Sequence, residues 1–259
     1  MKIAFICVVE SNNTYTDKKK HKRLYETESL KCAELLKKYT QCDIFYICPT
    51  NNGVDENTKK IYSNLGVNYI EKNIYNDLNL EPKDGFYNKI YGCTFLESML
   101  KNKYDVLIHI DLDMFLVRDF SNYLNDLELV DSCLIYDDIQ AQDERKHNIS
   151  KCIFNTCFIV DASKKLFENW AEIANTIKYS TYKNIVKDLE PHKLEELSFD
   201  ILSSKYYIKP LKDLMFGETY TNLDIIKQRY NIHNFYFHHY HIGSNYNYKK
   251  EEDKFWTLL

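Results

Sequence analysis

The sequence predicts an α/β protein with a mixed, mostly parallel central sheet flanked by helices. Three observations predict it. Short apolar, β-branched runs alternate with helical spacings over the first seventy residues, in the order strand, helix, strand, helix, strand. The first of these runs is continuously apolar, as in strands covered on both faces. The chain has 259 residues, 44% hydrophobic and 28% charged, which is enough to bury one large α/β core.

The elements follow in order. Residues 2–9 are read as a central parallel strand, followed by the polar loop Glu10-Ser11-Asn12-Asn13-Thr14-Tyr15 at its C-terminal end. Open α/β sheets bind ligands at such ends. Val8, Val9, Glu10 and Tyr15 are therefore candidate nucleotide contacts, Tyr15 by stacking on a base and Glu10 or Asn12 by hydrogen-bonding its edge; a plain surface loop is the alternative. The basic run at 18–23 is followed by acids, so it reads as a solvated loop or helix start, with a phosphate-facing lid as the alternative. Residues 27–39 have helical spacing, with Thr27 as cap and Lys37 and Lys38 in the last turn. Residues 42–48 form a second strand and 49–53 a turn. Residues 57–65 form a helix ended by Gly66, and 67–70 a third strand. This is the pattern of a Rossmann-like half. Neither a G-x-G-x-x-G nor a P-loop is present, which disfavours dinucleotide oxidoreductases and P-loop nucleotidases. Residues 74–85 read as irregular and 87–101 as a helix. Lys89 lies in the first turn of that helix, where a cation beside the helix N-terminus suits a phosphate; a solvated lysine is the alternative.

The stretch 104–119 organises the rest. Residues 106–110, Val-Leu-Ile-His-Ile, form a buried strand that ends in Asp111-Leu112-Asp113. Strand side chains alternate faces, so Asp111 and Asp113 are expected to project to one side with Leu112 opposite. Two adjacent carboxylates stay ionised most easily with a cation between them. Their hard oxygens suit Mg²⁺ or Mn²⁺ together with substrate phosphates. Solvated acids capping a strand end are the alternative. His109 precedes them on the same face and is expected to be buried and hydrogen-bonded.

The whole arrangement, β-α-β-α-β, then a helix, then a strand ending in D-x-D with Asp119 beyond, resembles the GT-A-fold glycosyltransferases. The likeness is greatest to the glycogenin-like and lipopolysaccharide-galactosyltransferase-like enzymes. It implies a UDP-sugar donor, Mn²⁺ or Mg²⁺ held on its diphosphate by Asp111 and Asp113, Leu112 among the donor contacts, and a hydroxyl acceptor on a glycan or protein. Ile153-Phe-Asn155-Thr156-Cys157 resembles the family's segment near donor sugar and acceptor, with Cys157 in place of the usual glycine. Residues 194–200 resemble the acid-bearing helix facing the reacting sugar, without the usual Asp-Gln pair. Residues 235–243 resemble the terminal strand whose histidine completes the metal site. His239 and His241 share a face of that strand and His238 points away, so His241 and then His239 are the expected ligands. Lys249 or Lys250 stands where a phosphate-binding lysine is expected. Asn155, Thr156 and Asp138 are placed at the sugar. Glu196 and Asp200 are candidate bases if the reaction inverts; the glycogenin likeness leans towards retention, which needs no strong base. One domain is expected over 1–259, with 1–120 as the nucleotide half and 121–259 as the acceptor half.

Other classes are less well matched. A net charge of −4 carries no electrostatic footprint for nucleic acid. The eight cysteines form no C-x-x-C and read as buried free thiols, which points to a reducing, cytoplasmic location; zinc or a disulfide at Cys152 and Cys157 is the alternative. The N-terminal apolar run is too short for a signal peptide, and no run reaches membrane-spanning length. The D-x-D stretch also resembles the first metal motif of lesion-bypass polymerases and that of haloacid-dehalogenase phosphatases, with Asp137 and Asp138 as the latter's acid pair. Phe115 stands where those phosphatases carry Thr or Val. A non-catalytic module binding nucleotide-sugar or carbohydrate is the remaining alternative, suited by the 22 tyrosines.

Overall fold

The computed structural model describes residues 1–10, 25–77, 85–125, 132–135, 157–179, 197–199, 201–202, 205–206, 208–211, 215–218 and 236–240. In chain order the elements are β1 (Ile3–Val8), α1 (Tyr25–Tyr39), β2 (Asp43–Cys48), α2 (Glu56–Leu65), β3 (Val67–Glu71), α3 (Ile74–Asp77), α4 (Gly85–Leu100), β4 (Val106–Ile110), β5 (Met114–Leu116) and α5 (Ser121–Asn125). They are followed by β6 (Ser132–Ile135), β7 (Cys157–Asp161), α6 (Leu166–Tyr179), β8 (Ile208–Leu211), β9 (Met215–Glu218) and β10 (Phe237–Tyr240).

The main sheet has seven strands in the order β3-β2-β1-β4-β7-β6-β8. Pairing is parallel except at β7, which runs against both of its neighbours. The sheet is therefore mixed and mostly parallel, with the strand order reversing at β1 and β4. A second sheet, β5-β10-β9, begins where β4 ends.

Alternation along the strands divides the core in two. Phe5, Cys7 and Val9 of the first strand segment, with Val106, Ile108 and Ile110 of β4, face Leu35 and Leu36 of α1. Ala4, Ile6 and Leu107 face Ile90 and Leu96 of α4 and Leu166 and Trp170 of α6. All five residues of β4 are buried, so this strand has helices or strands over both faces, the reason its sequence is unbroken by charge.

Local chemistry sets the element ends. Asp55 caps α2, its carboxylate accepting the Thr58 N–H at 2.7 Å. Gly66 closes the same helix at φ 70°, a conformation that costs other residues energy. α1 begins at Tyr25, so Thr27 is not its cap but an exposed residue of the first turn. Glu26 instead ties this turn to α2, accepting from the Thr58 hydroxyl at 3.0 Å and the Asp55 N–H at 3.3 Å. Ile74–Asp77 is a short helix where irregular chain was expected. Cys7, Cys32, Cys42, Cys48, Cys93 and Cys157 are free thiols. Among the described residues no helix is long and apolar enough to cross a membrane.

Candidate functional site at the acidic turn

β1 and β4 are parallel neighbours, paired from Ile3 with Val106 to Ile6 with His109, so their C-terminal ends emerge together. At the end of β4 the Met114 N–H donates to the Asp111 carbonyl at 3.0 Å. Asp111-Leu112-Asp113-Met114 is thus a hydrogen-bonded turn rather than a continued strand. Strand alternation therefore does not relate Asp111 to Asp113, contrary to the sequence expectation. The cause is tertiary: Met114–Leu116 pairs with β10 in the second sheet, and the chain must turn between sheets. Leu112 is 8% exposed and Asp113 4% exposed, so the turn packs inward.

Asp111 stands on the α4 side of the sheet. Its Oδ2 accepts from Lys89 Nζ at 3.0 Å, with both side chains mostly buried. His109 lies beneath, its Nε2 3.8 Å from Asp111 Oδ1, too far for a hydrogen bond. Burial, and then the Lys89 charge, hold its imidazole well below the usual pKa, so it is neutral. Its ring packs against Phe158 and Phe167, with centroids at 5.7 and 6.1 Å. Nδ1 has no hydrogen-bond partner among the described residues, so the expected hydrogen bonding of His109 is absent at that atom. Cys157 pairs with Ile110 across the sheet; burial, then the Asp111 charge, keep its thiol protonated.

The end of β1 adds a second group. Glu10 is buried, and its carboxylate accepts from the Asn88 amide, whose oxygen accepts from the Tyr75 hydroxyl. Asn88 and Lys89 are consecutive in the early turns of α4, so one helix end serves both carboxylates. Asn88 and Tyr75 escaped the sequence reading; a polar residue beside Lys89 at the head of an apolar helix was the available signal. Val9 is fully buried and donates its N–H to the Ile47 carbonyl at 2.9 Å, and Val8 packs beneath α4. Both form the wall and floor of the strand end.

The register of β10 places His239 opposite Met114, the residue after Asp113. This brings the histidine-rich strand to the acidic turn. Tyr15, Asp138, Asn155, Thr156, Glu196, Asp200, His241 and Lys249 lie outside the described residues, as does the His239 side chain.

Among the described residues no three His, Cys, Asp or Glu side chains gather as a metal cluster. The two carboxylates at 111 and 113 are hard oxygen donors, whereas the surrounding thiol is protonated. Such a pair fits Mg²⁺ or Mn²⁺ as a partial ligand set of the kind completed by phosphates and water. Lys89 supplies a fixed positive charge at its edge.

Neither models of known protein families nor curated protein sequences match the chain. Solved structures do. The galactosyltransferase LgtC, in complex with donor and acceptor sugar analogues, matches with a TM-score of 0.58 at 14% identity, over 100% of this chain and 95% of its own. The bifunctional glycosyltransferase WbbM matches at 0.59 and 13% identity, over 94% of this chain but 46% of its own. GlyE of Streptococcus pneumoniae TIGR4, also a glycosyltransferase, matches at 0.50 and 12% identity, over 82% of this chain and 46% of its own. At these identities the likeness is one of architecture: the chain has the GT-A fold of these glycosyltransferases.

Proposed function

We propose that the chain is a glycosyltransferase that moves a sugar from a nucleotide-diphosphate sugar, a UDP-sugar, to a hydroxyl on a glycan or protein. The observation that carries this is the acidic turn at the end of β4, met by Lys89 from α4, within a fold shared with glycosyltransferases. In the reaction the acceptor oxygen bonds to the anomeric carbon, the bond from that carbon to the diphosphate breaks, and the hydroxyl loses its proton.

Asp111 and Asp113 would hold Mn²⁺ or Mg²⁺, joined by His241 or, second, His239. The ion, when bound, supplies Lewis-acid stabilisation of charge on the departing diphosphate. Lys89 adds a fixed cation beside the same oxygens, and Lys249 a second. Glu10 and Tyr15 take the base, with Val8, Val9 and Leu112 walling the donor. Asn155, Thr156 and Asp138 orient the sugar. Glu196 or Asp200 takes the acceptor proton if configuration inverts. The neutral His109 under Asp111 adds no positive charge beside the Lys89–Asp111 pair. The free thiols support a reducing compartment, the cytoplasm.

A panel of nucleotide-sugars with Mn²⁺, read by release of the nucleoside diphosphate, tests the proposal. Asp113→Ala is expected to remove roughly 99% of the release, a hundredfold loss of about 2.7 kcal/mol in transition-state stabilisation. Circular dichroism should show an unchanged fold. Equal activity in that variant, or full activity in EDTA, would refute the metal role. Binding of donors without turnover over a broad acceptor panel would identify a non-catalytic module instead. A phosphatase reading finds no support in the fold.

A further inference from the structure

Glu97 is a carboxylate buried towards the C-terminal end of α4, 1% exposed and about two helical turns from Lys89. Its Oε1 accepts the Phe167 N–H at 3.2 Å and its Oε2 the Glu168 N–H at 2.9 Å, both among the first N–H groups of α6. The residue before α6 is Lys165, in the left-handed region at φ 55°, and its side chain has no acceptor with which to cap a helix. The cap comes from another helix, some seventy residues earlier in the chain. Nearby contacts belong to the same seam. The Thr94 hydroxyl bonds the Phe167 carbonyl at 2.9 Å, and Tyr91 donates to Asn175. Tyr91, Thr94 and Glu97 are spaced three apart, so successive turns of α4 meet α6 through neighbouring polar side chains.

Two routes lead from this cap to the acidic turn. Along α4, a rigid rod of about 12 Å connects Glu97 to Lys89 and so to Asp111. Through α6, the Phe167 whose N–H is capped presses its ring on His109, which underlies Asp111. We propose that Glu97 is a positioning residue: by capping α6 from α4 it sets where Lys89 and His109 stand against Asp111. This deepens the transferase reading by naming a regulator of that site's geometry, and it rests on that reading only for its consequence in donor binding.

Protonation makes the role testable. Burial pushes the Glu97 carboxyl up from 4.5 to about 7, the two accepted N–H groups opposing the rise and the Glu168 charge adding to it. Glu168 on α6 is the charged neighbour and is bridged to Lys165 at 3.2 Å. The other charged residue of α4 is Lys89, and Lys101 follows just beyond the helix, its N–H bonded to the Glu97 carbonyl at 2.9 Å. On the sheet side stands the neutral His109, beyond Phe167. Ionised, the carboxylate accepts both N–H groups. Protonated, it turns a donor on one of them and half of the cap is lost.

The experiment is a pH titration of the full chain by NMR, with labels on the Glu97 carboxyl carbon, the Phe167 and Glu168 amides, Lys89 Nζ and His109 Cε1. All five are expected to move with one midpoint of about 7. In Glu97→Gln the four reporters other than the carboxyl should lose that step. Thermal melts give a second readout. The folded carboxyl resists ionisation, so its contribution to stability is full below 4.5 and is lost as pH rises through about 7. The variant should lose that slope. Titration confined to Glu97 and the two amides would overturn the proposal, leaving a local cap. Absence of any step between about pH 5.5 and 8.5 would overturn it as well. Calorimetry with UDP and Mn²⁺ keeps the readings apart: UDP that binds wild type nowhere in this range refutes the transferase donor site, while the Lys89 and His109 resonances alone decide the role of Glu97.

Discussion

Lys89 and Asp111 hold each other at 3.0 Å with little solvent around either, and that pair sets the charge of the site. A charged hydrogen bond in such surroundings contributes more than an exposed ion pair. Lys89→Met keeps most of the apolar stem and deletes only the cation. Donor affinity should then fall roughly tenfold or more, about 1.4 kcal/mol or above. Titration calorimetry of UDP with Mn²⁺ measures it, and unchanged affinity would remove Lys89 from the donor contacts. Lys89 was legible in the sequence because a lysine near the start of an apolar helix, just before an acid-ended strand, is conspicuous. Asn88 and Tyr75 were not, because Asn88 matters only where it meets Glu10 across 78 residues, and Tyr75 only through Asn88.

Among the elements, α4 governs the site. It lies close on the sheet because Gly92 has no side chain: a Cβ there would stand 2.7 Å from Val8 Cγ2 and 3.2 Å from Ile47 Cγ2. Gly92→Ala must therefore lift the helix or displace Val8, at a cost of about 1–3 kcal/mol. Urea unfolding should show that loss, and the UDP affinity should drop with it, since Asn88 and Lys89 ride on the same helix. Unchanged stability would mean the strand end yields freely. Helix and strand spans were readable from periodicity, β4 to the residue. The acidic turn was misread as strand because period two looks the same in either until the partner of Met114 is known.

At the scale of the whole molecule, a ligand that binds only the folded chain stabilises it by mass action. UDP with Mn²⁺ at about a hundred times its Kd should add about 2.7 kcal/mol. For a chain of this size that raises the Tm by roughly 5–10 °C. A differential melt with and without the pair checks it, and Asp113→Ala should abolish the shift. A wild-type Tm that ignores UDP and Mn²⁺ together would speak against the proposed donor.

The sequence by itself determined the α/β class, the succession of strands and helices through Ile110 apart from the short helix Ile74–Asp77, and the two acids at the end of a buried strand. These are local properties, written in side-chain spacing and chemistry. Only the tertiary structure decided that β7 runs against its neighbours, that a second sheet starts at Met114, that Lys89 meets Asp111 above a neutral histidine, and that Glu97 caps a helix 70 residues away. Such pairings depend on which segments the closed chain brings together, and on the water excluded when it does.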